Sequence, residues 1–77
     1  MDVRTTVRAA VQDLAQAPLP ADDSVSLFER GVIDSFGLVD LMLALEQAFH
    51  VDVPDSDLIP SRFETVEKIM AYFQARL

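Results

Sequence analysis

No cysteine occurs in this 77-residue chain, which removes a disulfide framework and any thiolate chemistry from the protein itself. Any thiol used here must be brought in by another group. There is one histidine, His50, so histidine-based catalysis has a single candidate. No apolar run approaches the roughly 18 residues of a membrane span, and Met1 to Arg8 is too polar for the apolar core of a signal peptide. The reading is therefore a cytoplasmic protein. Basic residues are scarce: six Lys and Arg stand against 13 Asp and Glu, a net charge of -7. Between Gly31 and Ser61 lie Asp34, Asp40, Glu46, Asp52, Asp55 and Asp57, with no lysine or arginine. Such a segment repels phosphate backbones and anionic lipid heads, which excludes nucleic acid and membrane surfaces as partners, and it draws basic protein surfaces. Internal repeats and low-complexity tracts are also missing.

What remains is rich in apolar residues, 51% of the chain, recurring at helical spacing. This predicts one folded, all-helical domain over residues 1–77 despite the acidity. From Asp2 to Gln16, Val3, Val7, Val11 and Leu14 recur every three or four positions, giving a first amphipathic helix that Ala17-Pro18-Leu19-Pro20 ends. A long connection runs to about Asp34. Its Val25, Leu27, Phe28, Val32 and Ile33 predict a segment pinned over the core, and Gly31 suits a turn needing a positive backbone angle. The second helix then runs to about Phe49. Pro54 and the acids around it allow at most one turn of a short third helix before Pro60. From Glu64 to Arg76, Val66, Ile69, Met70, Phe73 and Leu77 mark a fourth helix, started by Thr65 or Glu64 and ended by Arg76 as the helix dipole favours.

On a helical wheel, Leu38, Leu41, Met42, Leu45 and Phe49 occupy one arc of the second helix, sufficient for packing. The opposite arc carries Phe36, Val39 and Leu43 beside Asp40, Glu46 and Gln47. Apolar side chains flanked by acids on the face expected to meet water make a docking face for a partner with a basic-rimmed apolar groove. This face begins beside Ser35. In Gly31-Val32-Ile33-Asp34-Ser35-Phe36, a serine stands at the mouth of an apolar helix, and either Asp34 or Ser35 can cap that helix. Catalysis by Ser35 lacks a base, because His50 is 15 residues on, roughly 22 Å along a continuous helix. The stretch Asp34-Ser35-Phe36-Gly37 also fails the nucleophile-elbow pattern, which needs glycine two residues either side of the serine. A helix start does offer unpaired amides and partial positive charge, so a phosphodiester on Ser35 would be well placed. The acids from Asp52 to Asp57 do not make an EF-hand: Asp57 falls where the loop glycine belongs and Phe63 where the bidentate glutamate belongs.

Gly31-Val32-Ile33-Asp34-Ser35-Phe36, followed by Leu41, Leu45, Glu46 and Phe49, resembles the attachment region of acyl carrier and peptidyl carrier proteins. Length, acidity, three main helices, a short third helix and the long first loop are similar to that family's four-helix bundle. The resemblance implies a 4'-phosphopantetheine arm on Ser35, transferred from coenzyme A by a magnesium-dependent phosphopantetheinyl transferase, which supplies the missing thiol. It implies that Asp34 helps the transferase dock. It also implies that Phe36, Val39, Asp40, Leu43, Glu46 and Gln47 are read by the ligases, transferases, synthases and tailoring enzymes that load and unload an acyl or aminoacyl thioester. Asp34-Ser35-Phe36-Gly37 and the ending Asp57 to Thr65 look closer to free-standing carriers of amino acids or unusual polyketide extender units than to fatty-acid carriers. Gly37 and Gln47 depart from the fatty-acid pattern. The expectation is thus a monomeric, non-catalytic carrier binding no metal, serving polyketide, nonribosomal peptide or related secondary metabolism. The competing class is a small helical docking module without a prosthetic group, in which Ser35 is only a cap.

Overall fold

The computed structural model describes residues 2–77. Three α-helices, α1 (Val3–Leu14), α2 (Ser35–Phe49) and α3 (Val66–Gln74), pack around one cluster of buried apolar side chains. α1 lies against both of the others. Its start is set by Asp2, whose carboxylate accepts the Arg4 amide and so satisfies a free donor of the first turn. Val7 and Val11 are fully buried. The helix ends two residues sooner than the periodicity predicts: Ala15 is already extended, with ψ 133, and Ala17 precedes a proline, which disfavours helical backbone.

The connection from Ala15 to Asp34 is ordered by its own apolar residues, as expected. Leu27, Val32 and Ile33 are buried, with Val25 and Phe28 half-buried. Burying a side chain of that size contributes about 1.5–3 kcal/mol, enough to offset much of the entropy of fixing a long loop. Backbone bonds complete the anchoring: the Gln16 amide donates to the Val32 carbonyl at 2.9 Å, and the Leu27 amide to the Glu64 carbonyl at 2.7 Å. Gly31 takes the positive φ of 67° that closes the turn before α2.

Two 3-10 turns, Asp55–Asp57 and Pro60–Arg62, stand where a short third helix was expected. Pro60 holds Ile59 extended, which interrupts the first turn, and then serves as the first residue of the second. Neither turn contains a buried residue. They are held by the Asp57 carboxylate, which accepts the Tyr72 hydroxyl of α3 at 2.8 Å and Arg62 at 3.3 Å. Burial, followed by the Asp57 neighbour, raises the Tyr72 hydroxyl above its ordinary pKa. Phe63 then re-enters the core, edge-on to Tyr72 at 5.0 Å between ring centroids. Thr65 caps α3 by accepting the Lys68 amide at 3.0 Å, and Arg76 donates to the Tyr72 carbonyl near the other end.

Candidate functional site

The start of α2 is built by a division of roles between adjacent residues. Asp34 is the cap: its Oδ1 accepts the Gly37 amide at 2.7 Å, and its carbonyl accepts the Leu38 amide at 2.9 Å. Ser35 is the first helical residue. It is exposed, and among the described residues its hydroxyl has no protein hydrogen-bond partner. The amides of Ser35 and Phe36 likewise have no protein acceptor among the described residues, because their helical partners would lie before the helix begins. A free hydroxyl beside two open amides at the positive end of a 15-residue helix suits an attached phosphate group electrostatically.

The wheel drawn from the sequence separates the faces of α2 as the structure does. Leu38, Leu41, Met42, Leu45 and Phe49 are buried, whereas Phe36 is 83% exposed, Leu43 55% and Val39 45%. Asp40 and Gln47 are exposed beside this stripe. Glu46 differs from its neighbours. It is half-buried, and its Oε2 accepts the Val53 amide at 3.0 Å, so one side of its carboxylate is already committed to holding the chain after α2. Ile59, 43% exposed, adds a large apolar side chain outside α2; no periodicity flags it, because it lies between two single turns.

His50 sits past the far end of the same helix, exposed and in left-handed backbone at φ 56, ψ 44. It is the full length of α2 from Ser35, far outside proton-transfer reach. An open recess of about 190 Å³ lies at that end, lined by Val3, Ala48, Phe49, His50 and Leu77. Among the described residues no group of three or more His, Cys, Asp or Glu is placed to hold a metal ion.

The start of α2 thus presents a serine free of capping duty at the head of an exposed apolar and acidic face. Residues 5–73 match the family described as phosphopantetheine attachment site, and the chain belongs to that family. It is a non-catalytic carrier, bearing 4'-phosphopantetheine covalently on a serine. Among curated proteins it is similar to D-alanyl carrier protein 2 of Lactiplantibacillus plantarum, 37% identical over 70 residues that cover 91% of this chain and 88% of the relative. It is 38% identical over 72 residues to the D-alanyl carrier protein of Latilactobacillus sakei, covering 92% of each. Among solved structures it matches a chain in a crystal structure of an engineered Bradyrhizobium japonicum glycine:[carrier protein] ligase complexed with carrier protein from Agrobacterium tumefaciens and ATP. That match has a TM-score of 0.82 at 27% identity and covers 96% of this chain and 99% of that one.

Proposed function

We propose that Ser35 Oγ is the attachment atom and that the arm carries a small aminoacyl group. The free, exposed hydroxyl of Ser35 carries this reading. The chain has five serines. Ser24 and Ser26 spend their hydroxyls on Asp22 and on the Glu29 amide, and Ser56 and Ser61 lie in single 3-10 turns. Only Ser35 opens an α-helix. In the transfer, Ser35 Oγ bonds to the pantetheine-side phosphorus of coenzyme A, the phosphoanhydride bond breaks, and adenosine 3',5'-bisphosphate leaves. The hydroxyl proton passes to a base on the transferase. Once bound, the arm supplies a thiol that holds cargo as a thioester.

An aminoacyl cargo is supported by the names of the relatives and by the glycine ligase in the structural neighbour's complex; neither speaks for a polyketide intermediate. On this reading an ATP-dependent amino acid ligase charges the arm. Asp34, Phe36, Val39, Asp40, Leu43, Glu46 and Gln47 form the face that the transferase, the ligase and the receiving enzyme read. The apolar three supply contact area, and the acids select a basic rim. Glu46 contributes only its outer carboxylate oxygen, the other being engaged with Val53.

The test is intact-protein mass spectrometry after incubation with coenzyme A, magnesium and a broad-specificity phosphopantetheinyl transferase, with Ser35→Ala alongside. The parent gains the mass of one arm and the variant none, with the variant's helical circular dichroism unchanged. An arm retained by Ser35→Ala overturns the assignment.

A further inference from the structure

Glu46 fastens the chain that leaves α2. Its carbonyl accepts the His50 amide, which closes the helix, and the Val51 amide at 3.2 Å, while its Oε2 accepts the Val53 amide at 3.0 Å. Val51 and Val53 pack half-buried against the core. The other end of this segment is tied beside the start of α2. The Glu64 carbonyl accepts the Leu27 amide at 2.7 Å, and the Leu27 carbonyl accepts the amides of Val32 at 2.9 Å and Ile33 at 3.4 Å. Ile33 stands two residues before Ser35. The segment from Val51 to Glu64 therefore leaves the last turn of α2 and returns beside its first, which makes it a wall alongside that helix. Between the two anchors stands Ile59, 43% exposed. Its amide donates to the Asp57 carbonyl at 2.8 Å, its carbonyl accepts the Arg62 amide at 2.9 Å, and Pro60 follows it. A large apolar side chain on so constrained a backbone loses little freedom when a partner covers it.

We infer that Glu46 is a positioning residue for docking of the transferase, holding the Val51 to Glu64 segment so that Ile59 stands beside the outer face of α2 as a further contact for an apolar, basic-rimmed surface. The inference rests on Ser35 as the attachment residue and on α2 as the docking face. The transferase is the partner concerned because it must bring reacting atoms to Ser35 Oγ within about 3–3.5 Å. A specific interface covers about 800 Å² of each partner, whereas the backbone of this molecule extends only 28 × 26 × 19 Å. A partner with that footprint on α2 also covers what lies beside it. Charge agrees with this extension. Arg62 is the only basic residue between Val51 and Glu64, and it is paired with Asp57 at 3.3 Å. A basic rim that fits the exposed Asp34 and Asp40 therefore meets no free cation of this segment.

Two substitutions separate position from charge. Glu46→Gln keeps an oxygen for the Val53 amide and removes the charge, whereas Glu46→Asp keeps the charge but is one methylene too short to reach Val53. Parent, both variants, Ile59→Ser and the Glu46→Asp, Ile59→Ser double variant are compared for arm attachment from coenzyme A by a broad-specificity phosphopantetheinyl transferase. Initial rates are read by intact mass at varied carrier concentration, at a temperature where circular dichroism finds every variant folded. Because the acceptor is kept, Glu46→Gln stays within about two-fold of the parent KM. Glu46→Asp and Ile59→Ser each raise KM about five-fold with kcat little changed, as loss of one docking contact does. The double variant is no worse than Glu46→Asp, because a displaced Ile59 has no contact left to lose. A raised KM in Glu46→Gln would make Glu46 a charge read by the partner and overturns the inference. A parent-like KM in Glu46→Asp with a lowered melting temperature leaves Glu46 a purely structural role and overturns it too, as do a parent-like KM in Ile59→Ser or additive losses in the double variant. A parent that takes up no arm fails at Ser35 itself and removes both readings together.

Discussion

Asp34 and Ser35 are both good helix caps, and only one can occupy the cap position. Ile33 is buried and Asp34 is extended, so the chain enters α2 with Asp34 at the cap and Ser35 one step inside. That one step leaves the serine hydroxyl free of capping. At the other end of α2, His50 closes the helix in left-handed backbone where glycine is the usual occupant. An L-residue there costs roughly 1 kcal/mol. Replacing His50 by glycine relieves that strain, and we expect a gain of up to about 1 kcal/mol in urea unfolding after the entropy glycine adds to the unfolded chain. A loss of stability would mean that the imidazole contributes packing at the Val3 and Leu77 recess.

At the scale of the helix, α2 carries two apolar faces with different energetic roles. Substituting Phe36 or Leu43 by serine removes exposed surface, and stability should stay within about 0.5 kcal/mol of the parent. The KM for charging of the holo-carrier by an amino acid ligase should rise instead. The contrasting substitution, Leu38→Ala on the buried face, should cost about 2–5 kcal/mol. Unchanged charging kinetics in both serine variants would remove the docking face from the outer side of α2. The two 3-10 turns after α2 show the limit of reading elements one by one. Their proline and aspartate signals are local, but their placement depends on Asp57 reaching Tyr72 15 residues later in the chain.

At the scale of the whole molecule, one acidic residue of the long loop, Asp23, links that loop to both α1 and α3. Asp23 accepts hydrogen bonds from Arg4 at 2.6 Å and Arg8 at 2.7 Å, fastening the loop to α1, and its carbonyl accepts the Glu67 amide at the start of α3. The Arg4 hydrogen bond foremost, with Arg8 also contributing, holds the Asp23 carboxyl below the usual carboxylate range. A carboxyl whose pKa is lowered by folding stabilises the fold fully above its unfolded value of about 3.9. That contribution is lost as pH falls through the folded value. Acid titration of stability should therefore decline below about pH 4, and Asp23→Ala should flatten that part of the decline. Because Arg4 is half exposed and water screens the pair, the effect is modest. An identical pH slope in the variant would assign acid sensitivity to other carboxyls.

The three helices, the buried face of α2 and the exposed stripe of Phe36, Val39 and Leu43 were determined by the sequence alone. Helical periodicity is a property of residues three and four apart, and it survives without knowledge of neighbours in space. The pinned loop was legible for the same reason, through apolar residues too frequent for a solvated linker. Tertiary structure alone decided that Asp34 caps α2 and leaves Ser35 free, since the burial of Ile33 sets where the helix begins. It also decided that Glu46 turns one oxygen inward to Val53, and that Asp23 and Asp57 are internal ties, not surface charge. Each of these depends on groups brought within hydrogen-bond distance by packing, and sequence separation carries no record of that approach.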